Sequence, residues 1–244
     1  MFTSRVLGSL ICVLLLLFTD VEVAVANSNA EISQELTTLY RAARKVISVN
    51  QQHINDASIG DKGLSGESVK EQALVNYAQA SGIPLDTDQL TDAQTAMLIA
   101  VVAVMDENQD LINEQGVGFK GFLPAIFARQ VANKFSSSMA GKMKIKLTAP
   151  KTYVRNRANR PDKWENNVIE TLFKSADYMK GEPFSEESKV KGKDAFRFIL
   201  PEYYGKSCLG CHGMPKGERD ITGGKKEGGV LGELGGAISL IIYQ

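Results

Sequence analysis

Cysteine and histidine are scarce in this chain. Its 244 residues include three cysteines and two histidines, too few for a disulfide-stapled fold or for a metal centre built from many imidazoles. An excess of charge of one sign is also missing. Twenty-eight Lys and Arg stand against 28 Asp and Glu, a balance that suggests neither nucleic acid nor an anionic membrane as a partner. Finally, no apolar run reaches the roughly 20 residues of a spanning helix. Val6 to Phe18 has 13 residues and Ala96 to Met105 has 10.

The first of those runs reads as part of a secretory signal peptide over residues 1–26. Arg5 supplies the positive n-region, "VLGSLICVLLLLF" the apolar h-region, and Ala24-Val25-Ala26 a small-x-small cleavage site. A lipoprotein site at Cys12 would want a small residue before it, where Ile11 stands. Export to the periplasm is therefore expected, with a mature chain of 218 residues (244 minus 26) starting at Asn27 and no membrane span. Removing Arg5, Asp20 and Glu22 leaves 27 basic residues (28 minus 1) against 26 acidic (28 minus 2). That length suits one good-sized domain or two small ones.

Processing also removes Cys12, so both remaining cysteines belong to "YYGKSCLGCHGMPKGE", as Cys208 and Cys211, with His212 beside them. Two thiols separated by two residues can reach both vinyl groups of one haem, and the adjacent imidazole can coordinate its iron. Cys-x-x-Cys-His is the sequence form of c-type haem attachment. A zinc ribbon would need a second Cys or His pair, and the mature chain offers only His53. A thioredoxin-like pair would open a helix after a βα pattern, whereas a glycine-rich loop follows this one. A disulfide across two residues closes too small a loop to stabilise much. With three Cys and two His in 244 positions, the pattern arises by chance in roughly 3 of 10,000 chains, a false-positive risk small enough to favour haem c.

Periodicity predicts helices first and strands later. Ser28 to Glu31 is a capping box opening a helix through "ISQELTTLYRAARKVISVNQQHI", with an apolar stripe of Ile32, Leu36, Leu39, Ala43, Val46 and Ile47. If that helix persists, His53 falls on the same stripe. Further helices are expected at about 67–80, with Ser68 and Glu71 as a capping box, at about 92–113, over "LPAIFARQVANKF", and at about 162–176. "KMKIKLT" alternates as a half-buried strand does. Two strands flank Gly192-Lys193-Asp194, with Phe196, Phe198 and Leu200 on one side, and "GGAISLIIYQ" reads as a closing strand. The sum is an α+β fold, helices followed by an antiparallel sheet, with the haem motif near the C-terminus. Eleven of the 22 glycines follow position 204, as a backbone approaching a flat macrocycle would require, or as ordinary hairpin turns would.

"GFKGFLPAIFAR" (Gly118 to Arg129), "RNRANRPDKWE" (Arg155 to Glu165) and "YYGKSCLGCHGMPKGERDITGGKKEGGVLGELGGAIS" (Tyr203 to Ser239) together resemble a family of c-type haem domains with a PAS-like fold. That family was once filed as a domain of unknown function and occurs alone in the periplasm or as the sensor part of histidine kinases. Ile54, Asn55, Asp56 and Gly60 to Leu64 match a further family segment. The resemblance implies a PAS-like antiparallel sheet, an N-terminal helix packed on the haem, and long helices that commonly mediate homodimers. It divides the mature chain into a helical region, 27–115, with an insertion at about 81–115, and a haem-binding region, 116–244, packed with the first helix as one domain.

Cys208 and Cys211 are the expected attachment points of one haem c, and His212 the proximal ligand. His53, the only other mature histidine, is either a core residue or the sixth ligand. Met139 and Met143 are the alternatives for that position, while Met97 and Met105 read as core. Arg155 and Arg157, with Arg160, have guanidinium forks suited to haem propionates, or form a solvated loop. The expected function is redox or ligand sensing through a redox or signalling partner protein. A simple periplasmic electron carrier is the alternative. A haem bundle of the class II cytochrome c type is disfavoured by the β-rich segment after the motif. No second acid/base constellation suggests an enzyme.

Overall fold

A computed structural model describes residues 28–244; the expected signal peptide and its cleavage site lie outside them. The first helix, α1 (Asn29–Val49), opens on the expected capping box. The Ser28 hydroxyl accepts from the Glu31 amide, and the Glu31 carboxylate accepts from the Ser28 amide at 2.7 Å. Its stripe from Leu36 to Ile47 is buried. The helix breaks at Asn50, whose side-chain amide turns back to cap the Val46 carbonyl at 2.9 Å. A short helix, α2 (Gln51–Ile54), follows. Because of this break Ile54 continues the buried stripe, and His53 sits beside it half-buried.

Helix α3 (Gly66–Ser81) is capped by the Ser65 hydroxyl, which accepts from the Ser68 amide at 3.2 Å. The expected Ser68–Glu71 box lies inside the helix instead. Helix α4 (Asp92–Glu107) is separated from α5 (Gln109–Asn113) at Asn108. The Asn108 amide donates to the Val104 carbonyl at 2.7 Å and to Gln130 at 2.9 Å, ending the helix that periodicity carries through to 113. Next come α6 (Pro124–Ser138), with proline in its first turn, and β1 (Met143–Thr148). Helix α7 (Lys163–Asn167) runs into a π-helical stretch (Val168–Phe173) where a uniform helix was expected. The chain closes with β2 (Phe184–Val190), β3 (Lys193–Tyr203), α8 (Leu209–His212) and β4 (Leu234–Tyr243).

The strands form one antiparallel sheet in the order β1-β4-β3-β2, so the architecture is α+β. Its inner face, including Ile145, Phe196, Phe198, Leu200, Ile238 and Leu240, shares one core with α1, α3, α4 and α6. Its outer face packs Ile199 and Ala237 under Val168, Ile169 and Phe173 of the π-helical stretch. β3 is thus covered on both sides, which is why Ala195 to Pro201 is a nearly continuous buried run. Its one charged member, Arg197, pairs with Asp162 at 2.6 Å and lies over the Trp164 ring.

Segment 81–115 is no appendage. Met97, Val101, Val104 and Met105 of α4 are fully buried, and each such side chain contributes about 1.5–3 kcal/mol relative to exposure. Among the described residues no helix is long and apolar enough to cross a membrane.

Candidate functional site

Strand β3 delivers the chain to the motif. After Tyr203, Tyr204 turns inward and is buried; a 3-10 turn (Lys206–Cys208) then leads into α8, which carries Cys211 and His212. Cys208 and Cys211 are three residues apart in helical geometry, a spacing that puts both thiols on one side of the turn. Neither is in a disulfide, and both are half-exposed. Burial pushes the Cys211 thiol up, and the Asp220 carboxylate adds to this. The motif follows a strand but opens only a four-residue helix, unlike a thioredoxin-type site. Among the described residues no three His, Cys, Asp or Glu side chains converge as a metal site.

His212 is held from two sides. Its Nδ1 lies 2.8 Å from Glu227 Oε2. A carboxylate there accepts, so Nδ1 carries the proton and Nε2 keeps its lone pair free for a metal. The Tyr204 ring stacks on the imidazole with centroids 5.4 Å apart and planes 19° from parallel. Tyr204 in turn is seated on two glycines: a Cβ on Gly229 or on Gly235 would come within 2.4 Å of its ring. The glycine-rich stretch therefore serves Tyr204 as well as turns, the latter at Gly217, Gly223, Gly228 and Gly232, all with positive φ.

Arg155 ties this loop together. Its guanidinium donates to Glu227 at 2.6 and 3.1 Å, to Asp220, to the Cys211 carbonyl at 2.6 Å and to the Lys225 carbonyl at 3.1 Å. The Asp220 side chain is shielded from solvent and that of Glu227 is 8% exposed. Burial alone would raise both carboxyls. For Asp220 the Thr222 and Arg155 hydrogen bonds outweigh burial and bring it to about 2; for Glu227 Arg155 and His212 prevail and hold it low. Arg155 is thus turned toward protein carboxylates and carbonyls, where the sequence suggested propionates. Arg157, in an exposed 3-10 turn, does not share this cluster.

The last turns of α1 lie against the motif. Ser48 and Ser207 hydroxyls meet at 2.7 Å. Arg41 and Arg44 share the Glu202 carboxylate, and Arg41 also donates to the Pro201 carbonyl at 2.8 Å. The buried Nε of Arg44 has no acceptor among the described residues.

His53, in α2 just beyond, places Nε2 2.9 Å from the Lys62 carbonyl. That bond makes Nε2 the donor and leaves Nδ1 with the lone pair. The loop holding it is built around the Lys62 ammonium, which donates to the Asp56 and Ile59 carbonyls at 2.5 Å, giving the "INDASIGDKGL" segment its reason. Met139 and Met143 are elsewhere. Met143 pairs with Ile242, eight residues along β4 from Leu234, where the chain reaches Tyr203. At about 3.3 Å per residue that is roughly 26 Å.

Sequence reasoning did not find Glu227, Asp220 or Tyr204. Nothing in "GGKKEGG" marks its glutamate, fifteen residues after His212, as a partner of the imidazole; only folding joins them.

The Tll0287-like family profile (Tll0287) matches residues 25–242. No curated protein matches the chain, and no solved structure does. With the match running from before α1 into the last strand, β4, the chain belongs to the Tll0287-like family.

Proposed function

We propose that this is an exported, periplasmic c-type haem protein with a PAS-like sensor fold that reports redox state or a ligand through a partner protein and turns over no substrate. The observation that carries the reading is the set of donors on α8 and the 3-10 turn that leads into it. Two unpaired thiols on one helical turn stand next to an imidazole whose Nδ1 is committed to Glu227 and whose Nε2 is free. These residues fit a haem c: Cys208 and Cys211 would hold it by thioethers and His212 would bind its iron, with His53 as the sixth ligand. When bound, the haem supplies a one-electron couple and, with a labile sixth position, a place for small ligands.

The protein's own part is to hold His212 in one tautomer and plane and to couple the motif to α1. The Ser48–Ser207 and Arg41/Arg44–Glu202 contacts support that coupling. A change at the iron that moved the motif would strain a helix that is itself the centre of the core. A sensor needs such an element to differ in free energy between two states. Because the apolar stripe of α1 from Leu36 to Ile47 is buried in the core, a homodimer would use the outer faces of α3 and α4, where Val75 and Ile99 are exposed.

A simple electron carrier is the second reading, favoured by the half-exposed cysteines, which would leave a haem edge open to a redox partner. Hydrogen exchange of residues 32–54 in the oxidised and reduced holoprotein separates the two. Protection that differs between states supports sensing; identical protection with fast reversible electron exchange supports the carrier.

A further inference from the structure

We propose that Glu227 is a positioning residue that lowers the reduction potential of the haem by giving His212 an anionic hydrogen-bond partner; this rests on the haem reading above. An Nδ1 proton given to a carboxylate leaves more electron density on Nε2 than one given to a backbone carbonyl. A more basic donor stabilises the more positive, oxidised iron over the reduced one. The couple takes one electron from an external redox partner, and in doing so no bond to Glu227 forms or breaks.

The geometry makes this contact durable. Glu227 is 8% exposed, so its charge is weakly screened. Arg155 grips both of its oxygens, at 2.6 and 3.1 Å, so the carboxylate cannot rotate off the imidazole. Arg155 would cancel the effect if it were the only other charge. Asp220, with its side chain fully shielded, pairs with the same guanidinium. One guanidinium and two carboxylates leave the cluster at a net charge of −1 beside His212, and the sign of the shift follows. Stacking of Tyr204 fixes the ring plane in which the Nδ1–Glu227 bond lies.

The test is the midpoint potential of the holoprotein by spectroelectrochemistry, for wild type, Glu227→Gln and Glu227→Asp at equal covalent haem content. Glu227→Gln should move the oxidised-to-reduced equilibrium at least tenfold toward reduced, an upward shift of about 59 mV or more for one electron. Glu227→Asp, which keeps the charge, should recover most of the wild-type value. An unchanged potential in a fully haem-loaded Glu227→Gln protein overturns the proposal, while the haem reading stands. Wild type without covalent haem sinks that reading and the proposal with it. Should Glu227→Gln fail to mature, Asp220→Asn removes one negative charge without touching the His212 contact. Its potential must then rise, and an unmoved value overturns the proposal.

Discussion

Replacing Arg155 with alanine removes one side chain and strands two carboxylates. In the native protein the guanidinium is 29% exposed, but its partners are not: the Asp220 side chain is shielded and that of Glu227 is 8% exposed. A hydrogen bond to a charged group contributes about 1.5–3 kcal/mol net, and leaving a buried charge without its partner costs about 3–5 kcal/mol. Both carboxylates keep other donors. Glu227 retains His212, and Asp220 retains the Thr222 amide at 2.8 Å and hydroxyl at 2.6 Å. With that remaining support and the partial exposure of Arg155, the expected loss is about 3 kcal/mol, between an exposed and a buried pair. For a chain of this size each kcal/mol lowers Tm by about 2–4 °C, so a fall of about 6–12 °C is expected. Arg155→Lys should recover less than half, because an ammonium cannot reproduce the fork that grips Glu227 and reaches two carbonyls. Thermal and urea unfolding by circular dichroism, with haem content matched, read the effect. A loss below about 1 kcal/mol for Arg155→Ala would show that the loop is held by something other than this guanidinium. A double-mutant cycle with Asp220→Ala should also give a coupling of about 1 kcal/mol or more.

Three further outcomes follow from the same geometry. The Asp220 carboxyl lies near 2 in the fold against an ordinary 3.8; a folded value below the unfolded one means that its stabilisation is complete above about pH 4 and is lost as pH falls toward 2. Asp220→Asn should flatten the stability profile in that window, and an unaltered slope refutes the assignment. Gly235→Ala places a Cβ 2.4 Å from Tyr204 Cε1 and 2.7 Å from its Cζ, so urea unfolding should show a loss of about 1–3 kcal/mol, as overpacking does; an unshifted midpoint contradicts the seat described for Tyr204. His53→Ala in the holoprotein should replace a six-coordinate low-spin spectrum by one that admits CO readily in the reduced state, while an unchanged spectrum removes His53 from the iron.

The parts of this fold that the sequence announces are those governed by short-range rules. The Ser28–Glu31 box, the stripe of α1, proline at the start of α6 and the alternation of "KMKIKLT" all involve residues within a turn or a strand pair of one another, and each stands where expected. Helix interruptions were missed at Asn50 and Asn108 for one reason. In both places an asparagine amide bonds the carbonyl four residues back, a choice that competes with helix continuation and that periodicity does not register. The motif from Cys208 to His212 is local and therefore legible. Its support is not. Arg155 reaches Glu227 across 72 positions and Asp220 across 65, separations over which no local pattern joins an arginine to its carboxylates. The place of Met143 is likewise set at long range, since strand register decides which end of the sheet it occupies.

Covalent haem on Cys208 and Cys211 is read out by the intact mass of the denatured, mature protein from a host able to attach c-type haem, taken beside acid-acetone extraction. The expected result is a polypeptide heavier by one haem, colour that stays with the protein, and loss of that addition in the double variant Cys208→Ala/Cys211→Ala. An unmodified mass, with the colour passing into the organic phase, would refute covalent attachment.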